Sequence, residues 1–324
     1  MVHAVLIRRT GPPDVLELVD DYEKPTISDG EVLVQQVSTS VNPVDYKIRD
    51  GSLKPKSLPK VLGGDLAGFV TESKSSKWKK GDRVIALTEG FHWDNEENKY
   101  GSYADYTASK EEWLAKAPYG ILLNILGGVP LVGMTAMQAL ESGNLKPGAR
   151  VLVHGGAGGV GHMVVQLAKV HFKAYVVATA GPANQTYIKE ELGADEVLNY
   201  KEEDFAEKYK DKPFDLVIDP IGGVVEDKSY TVLGQHGTYT HILNNNTNED
   251  KIKAGKQWKD RKYVVILVQP NGKQLSIISG YLENADIKLF VDKIFWLKDI
   301  REAHEYAKKQ HFRGKVIVQI SHEE

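Results

Sequence analysis

Cysteine does not occur in this sequence of 324 residues. That one absence excludes disulfides, thiolate zinc sites, iron–sulfur clusters and cysteine nucleophiles together, so any catalysis has to use other groups. Charge of one sign is scarce as well: 41 Lys and Arg against 44 Asp and Glu leave a net charge of −3. No Lys/Arg cluster is dense enough to form a nucleic-acid surface. No run approaches the length of apolar residues that a membrane-spanning helix requires. The N-terminus, MVHAVLIRRTG, turns basic after Ile7 and is too short for a secretory h-region. The chain therefore reads as cytosolic, with neither nucleic acid nor a membrane as partner. Internal repeats and low-complexity tracts are missing too. The length suffices for two ordinary domains, each with its own core.

Glycine is what the chain has in an informative place. In Arg150 to Lys169, RVLVHGGAGGVGHMVVQLAK, a β-rich stretch from Val151 to His154 runs into Gly155, Gly156, Ala157, Gly158, Gly159, Val160 and Gly161. Apolar residues then recur at helical spacing at Met163, Val164, Leu167 and Ala168. Gly156, Gly158 and Gly161 satisfy GxGxxG. Strand, glycine turn and helix form the phosphate-binding unit of a dinucleotide fold. Glycines allow the tight turn, the approach of backbone N–H groups to a pyrophosphate and close helix–strand packing. The anion sits on the helix N-terminus, where orphan donors and the macrodipole favour negative charge. A plain βαβ crossover with a flexible turn would carry the conformational entropy cost of so much glycine with no return.

The rest of the chain divides by pattern. Before about Leu122 it reads as short strands between Gly, Pro, Asp and Ser: Val2 to Ile7, Glu31 to Ser40, Ala67 to Glu72 and Arg83 to Leu87. Such spacing predicts a small barrel or sandwich. Beyond it, six strands alternate with helical patterns: Val151 to His154, Ala174 to Thr179, Glu196 to Asn199, Leu216 to Asp219, Gly237 to Leu243 and Tyr263 to Val268. That alternation predicts an α/β domain with a doubly wound parallel sheet. A helix over Lys273 to Asn284 should close it. Short strands at Ile287 to Phe295 and Lys315 to Ile320, around a helix from Asp299 to Gln310, should rejoin the first domain. The polar segment Asn244 to Lys262 reads as a surface excursion. The apolar run Tyr263 to Val268, YVVILV, reads as an edge strand that a homodimer contact would cover.

With both halves in view, the chain resembles the medium-chain dehydrogenase/reductase superfamily, and within it the zinc-free quinone oxidoreductase and enone reductase branch. The resemblance extends over nearly the whole length. It is carried by VNPVDYKIRDG (Val41 to Gly51), LGGDLAGFV (Leu62 to Val70), WKKGDRV (Trp78 to Val84), LVGMTAMQAL (Leu131 to Leu140), the glycine turn, LGADEVLNYKEEDF (Leu192 to Phe205) and FRGKVIV (Phe312 to Val318), in that order. It implies a GroES-like catalytic domain over residues 1–119, completed by 286–324, and a Rossmann domain over 120–285. Zinc relatives have a cysteine three places before the Asp of the first segment and a His-Glu pair in the second; this chain has Asn42 and the pair Gly64, Asp65. Its ten histidines show no HExxH or equivalent ligand spacing. Without a Lewis acid, hydride delivery to an acceptor that stabilises its own charge is the expected chemistry, and quinones and conjugated enones are such acceptors.

The resemblance also implies site residues. After the second strand the sequence reads Thr179, Ala180, Gly181, Pro182, Ala183, Asn184, with no carboxylate to repel a 2′-phosphate, and Tyr200 matches a tyrosine that contacts the adenosine phosphate. NADPH is therefore the expected cofactor, although Gln185 stands where several relatives have lysine. Thr135, Gly156, Ala157, Gly158, Gly159, Val160, Thr179, Ala180, Tyr200, Ile242, Leu267, Arg313, Gly314 and Lys315 are the expected cofactor contacts. Asn42, Asp45, Tyr46 and Lys47 are the expected catalytic group, with Lys47 or Tyr46 donating to the substrate oxygen. Asp45 reads equally as a cap of its own turn, Lys47 as a solvated side chain and Tyr200 as a strand-end aromatic. Tyr103 and Phe91, His92 and Trp93 are expected to border the substrate cleft, or to be packing alone. A different class of reading is a nucleotide-binding redox sensor or structural relative without turnover. It would retain the glycine turn and lose the polar catalytic group.

Overall fold

The computed structural model describes residues 1–242, 260–309 and 312–323. They form two compact units, residues 1–134 with 270–324 and residues 135–269. In chain order the first unit begins with β1 (Ala4–Ile7), β2 (Leu16–Val19), β3 (Glu31–Val41), α1 (Pro43–Asp50), β4 (Lys60–Val61), β5 (Asp65–Ser73), β6 (Arg83–Leu87), β7 (Tyr106–Lys110), β8 (Leu114–Lys116) and α2 (Leu123–Leu126). The division to the second unit falls within α3 (Pro130–Glu141), after Met134, and the return falls after Gln269. The sequence-based boundaries at 119/120 and 285/286 lie about one element away on each side.

The second unit contains β9 (Arg150–Val153), α4 (Gly159–Val170), β10 (Tyr175–Ala180), β11 (Glu196–Asn199), α5 (Phe205–Lys208), β12 (Phe214–Asp219), α6 (Val224–Val232), β13 (Leu233–Ile242) and β14 (Lys262–Ile266). Its six strands are all parallel, in the order β11-β10-β9-β12-β13-β14. Helices on both faces of a parallel sheet bury both sides of the central strands, so these read as continuous apolar runs. Val151, Leu152 and Val153 on β9 and Val176, Val177 and Ala178 on β10 are all buried. The α4 residues Met163, Val164, Leu167 and Ala168 turn the predicted apolar stripe inward. Burying each such aliphatic side chain contributes about 1.5–3 kcal/mol.

The first unit resumes with α7 (Gly272–Glu283), β15 (Val291–Trp296), α8 (Ile300–Lys308) and β16 (Lys315–Gln319). Its larger sheet runs β15-β16-β3-β5-β6-β8, with β7 also on β3. The smaller one is β2-β1-β4. The tail enters the larger sheet through β16, antiparallel to β3 with Val316 opposite Val41 and Val318 opposite Thr39. This pairing brings Lys315 beside the end of β3, where the Asn42 loop begins.

Several elements differ from their sequence-based bounds. The second parallel strand is shifted by one residue, to Tyr175–Ala180. β13 begins at Leu233, where α6 runs straight into it, and its extra residues fall at a register irregularity between the Phe214–Leu233 and Leu216–Thr238 pairs. β15 begins only at Val291. Most of the polar excursion, residues 243–259, lies outside the described residues, as does Leu243.

Candidate active site

In the second unit the glycine turn lies at the carboxyl end of β9. Gly155 has φ +65, a left-handed conformation that glycine adopts without Cβ strain. A Cβ on Gly161 would lie 2.2 Å from the Gly155 carbonyl oxygen, and one on Gly156 would lie 2.9 Å from the Ala178 Cβ. The turn position is thus Gly155, outside the GxGxxG pattern, whereas Gly156 and Gly161 permit close packing. Gly158 is the N-cap of α4 and no side chain caps the helix. The Gly155 and Gly156 N–H groups bond to Thr179, and the Gly158 N–H bonds to the Gly155 carbonyl at 3.0 Å. Among the described residues, the N–H groups of Ala157, Gly159, Val160 and Gly161 have no acceptor. Four unclaimed donors at a helix N-terminus, in a cradle that side chains would fill, fit a dinucleotide pyrophosphate.

The other candidates on this unit sit at the same edge of the sheet. Thr179 and Ala180 end β10, Tyr200 follows β11, Ile242 ends β13 and Leu267 follows β14. All lie at carboxyl ends of parallel strands, where ligands of this fold class bind. Tyr200 is 60% exposed, and its hydroxyl is 3.5 Å from where a Gly181 Cβ would be. The Gln185 amide donates to the Ala180 and Gly181 carbonyls at 3.0 and 3.3 Å, so it braces the loop after β10. Thr135 is in the second turn of α3, not at its start, and is buried.

In the first unit, Asn42, at the junction of β3 and α1, and the first two turns of α1 carry the catalytic candidates. Asn42 is extended and precedes Pro43 at the first helical position, where proline loses no hydrogen bond. The Asp45 carboxyl accepts from the Asn42 N–H at 2.7 Å and the Tyr103 hydroxyl at 3.1 Å. Burial pushes Asp45 up to about 7, with Asp65 adding to the rise and the Asn42 N–H, Tyr103 and Lys315 opposing it. The Asn42 side chain donates to Asp65 at 2.7 Å and accepts from Lys315 at 2.5 Å. Asp65 also accepts from Ser40 and from the Leu131 N–H at 2.7 Å, at the start of α3. Lys47 is half-buried, and its ammonium has no ion pair or hydrogen bond among the described residues. Burial lowers its pKa, with Asp50 opposing.

The structure places the remaining candidates as follows. Asp45 is fully buried and caps its own helix through the Asn42 N–H. Tyr46 is 4% exposed and belongs to the core that holds Leu6, Ile48 and Phe295. Lys315 is buried, and its ammonium is held by the Asn42 amide and the Val41 carbonyl rather than free for a cofactor. Gly314 has φ +65, and a Cβ there would meet the Phe290 carbonyl at 2.0 Å, so it is needed for the backbone path. Arg313 remains exposed. Tyr103 is buried and bonds to Asp45 and to His304 at 3.1 Å; Phe91 is buried against Gly64. Trp93 packs on the core, whereas His92 keeps an Asp94 contact at 3.6 Å.

Sequence reading passed over Asp65, Ser40 and the placement of Lys315. A signal existed: aspartate is disfavoured inside strands, so one embedded in LGGDLAGFV calls for a partner. Asn42 and Asp65 converge on the buried ammonium of Lys315, which is 4.0 Å from Asp65.

Two family models match, "Alcohol dehydrogenase GroES-like domain" over residues 28–119 and "Zinc-binding dehydrogenase" over residues 192–318. A 2-methylene-furan-3-one reductase of Solanum lycopersicum is 32% identical over 95% of this chain and 76% of its own. An Arabidopsis thaliana protein named NADPH-dependent alkenal/one oxidoreductase, chloroplastic, is 33% identical over 95% of this chain and 77% of its own. The solved quinone oxidoreductase of Coxiella burnetii superposes with a TM-score of 0.88 at 32% identity, covering 99% of each chain. On these likenesses and on its two-unit architecture, the chain belongs to the quinone oxidoreductase branch of the medium-chain dehydrogenase/reductase superfamily.

Proposed function

We propose that this protein is an NADPH-dependent, zinc-independent reductase that transfers hydride to a quinone or to the activated C=C of an α,β-unsaturated carbonyl compound. The observation that carries the reading is the set of unclaimed N–H donors at Ala157, Gly159, Val160 and Gly161. The relatives' names support both acceptor classes. In this reading residues 135–269 are the dinucleotide-binding domain and the remainder is the catalytic domain. NADPH is preferred over NADH because no carboxylate follows β10 and Tyr200 is available to the phosphate. We also propose a cytosolic location and a homodimer closed through β14.

The bound nicotinamide supplies the hydride; the protein's residues do the rest. The α4 N-terminus and glycine turn hold the pyrophosphate. Thr179, Ala180, Ile242 and Leu267 line the strand ends beside it. Asp45 ties α1 to Asn42, and Asn42 is clamped between Asp65 and Lys315, which sets the start of the helix that carries Lys47. Lys47 donates to the acceptor oxygen as negative charge develops there, a preorganised donor with no competing protein partner. Water then delivers the remaining proton.

NADPH consumption with 9,10-phenanthrenequinone and with 3-buten-2-one tests this directly. Turnover of either acceptor supports the assignment; NADPH binding with no turnover of either would instead point to the non-catalytic relative.

A further inference from the structure

We propose that His154 is a positioning residue for the dinucleotide: together with Ser229 and Thr179 it forms a buried, one-directional hydrogen-bond chain that sets the phosphate turn before any ligand arrives. This rests on the dinucleotide reading of that turn.

His154 is the last residue before the glycines and is fully buried. Its backbone N–H bonds to the Ile218 carbonyl on β12 at 3.0 Å. Its ring touches two hydroxyls, Thr179 Oγ1 on β10 at 3.2 Å from Nδ1 and Ser229 Oγ on α6 at 2.9 Å from Nε2. The Ser229 hydroxyl donates its proton to the Val225 carbonyl at 2.7 Å. Ser229 can therefore only accept from His154, so Nε2 carries the ring proton and Nδ1 is the acceptor. Nδ1 then takes the Thr179 proton, which leaves the Thr179 oxygen as acceptor for the Gly155 N–H at 3.4 Å. Every direction along the chain follows from one donation at Ser229.

Charge leaves that order intact. Burial holds the His154 pKa down to about 4, with Asp219 opposing, and the Phe205 ring packs edge-on at 4.7 Å. A neutral imidazole with one proton is what the chain requires.

The consequence lies at the turn. Thr179 receives the Gly155 N–H on its hydroxyl and the Gly156 N–H on its carbonyl, so both donors that could compete with the pyrophosphate cradle are occupied. The left-handed Gly155 and the unclaimed donors of Ala157, Gly159, Val160 and Gly161 are thereby preset. A turn ordered in advance does not spend binding energy on ordering.

Replacing His154 by leucine removes the acceptor at Nδ1, whereas asparagine retains an oxygen at the same distance from the backbone. Fluorescence titration with NADPH should show about tenfold weaker binding for His154→Leu, the size of one hydrogen bond. His154→Asn should remain within about threefold of the unsubstituted protein. In His154→Leu, kcat at saturating NADPH should change less than the affinity does. In a Thr179→Val background the leucine substitution should cost nothing further, because the link is already broken. If His154→Leu does not fold, Thr179→Val against Thr179→Ser carries the same contrast, with only the serine binding well. Equal losses in the leucine and asparagine variants, fully additive losses in the double variant, or binding of the folded leucine variant at the unsubstituted affinity would each overturn the proposal. Absence of NADPH binding in the unsubstituted protein would instead overturn the dinucleotide reading.

Discussion

Lys47 differs from the described cations around α1. Lys315 is committed to Asn42, Lys308 pairs with Asp50 at 3.1 Å, and Arg49 donates to the Gly11 carbonyl at 3.2 Å. Only Lys47 is half-buried with an unengaged ammonium. Lys47→Met should therefore lower kcat/KM by one to three orders of magnitude and leave the NADPH dissociation constant nearly unchanged. Steady-state kinetics together with titration check both halves. Quinone turnover should fall less than enone turnover, because a hydroquinone anion depends less on an external donor. Asp45 makes a different prediction. Its pKa rises from 3.8 in the open chain to about 7 in the fold. The proton it holds stabilises the fold fully below pH 3.8, and that stabilisation is lost as pH rises to about 7. Asp45→Asn should remove this slope, so a Tm profile between pH 4 and 8 should be flatter in the variant than in the unsubstituted protein. Equal slopes would show that other groups dominate. At this scale the sequence showed which residue types stood together but not which were buried. Asp45 and Lys47 are two positions apart; one faces Tyr103 and Asp65 and the other does not, a distinction set by side chains that return from β5 and β16.

The helix α4 and its turn were legible almost residue by residue, because strand, glycines and apolar stripe are local and their spacing is dictated by one crossover. What was not local was missed: the turn's left-handed residue is Gly155, and its hydroxyl support comes from Thr179 and Ser229, 24 and 74 positions further along. Steric surroundings separate two glycines that the motif treats alike. A Cβ on Gly158 would approach only the Gly155 oxygen, at 3.4 Å, whereas one on Gly161 would collide with it at 2.2 Å. Gly158→Val should consequently fold with a near-unsubstituted Tm and lose NADPH binding by a large factor, because its side chain obstructs approach of the pyrophosphate. Gly161→Val should lose thermal stability as well. Calorimetry and NADPH titration on the two variants separate these outcomes; near-normal affinity in folded Gly158→Val would remove the cradle assignment.

At the level of the whole molecule, the parallel sheet and the return of the tail to the first unit were foreshadowed by alternation of pattern, since a strand next to a helix must cross over and a late β-rich tail must find an open edge, whereas the strand order and the pairing with β3 were not. Unit limits were less legible, because α3 has one continuous apolar pattern across the division. The edge of the second sheet has a consequence for assembly. β14 pairs with β13 on one side, and Tyr263, Val264, Val265 and Ile266 are half-exposed. An apolar edge that no described strand pairs with invites pairing, and a twofold contact would satisfy it once and close. Light scattering should give about twice the chain mass of 36.0 kDa over a wide concentration range. A constant single-chain mass would contradict the dimer.

Transfer of the hydride itself is the central claim, and isotope tracing follows it most directly. NADPH deuterated at one face of nicotinamide C4 is supplied with 3-buten-2-one in ordinary water, the opposite face being labelled in a second preparation. Direct transfer predicts deuterium on the β-carbon of the saturated ketone from one of the two preparations, with a solvent proton on the α-carbon. Saturated ketone free of deuterium from both preparations, or label appearing in water, would contradict the account.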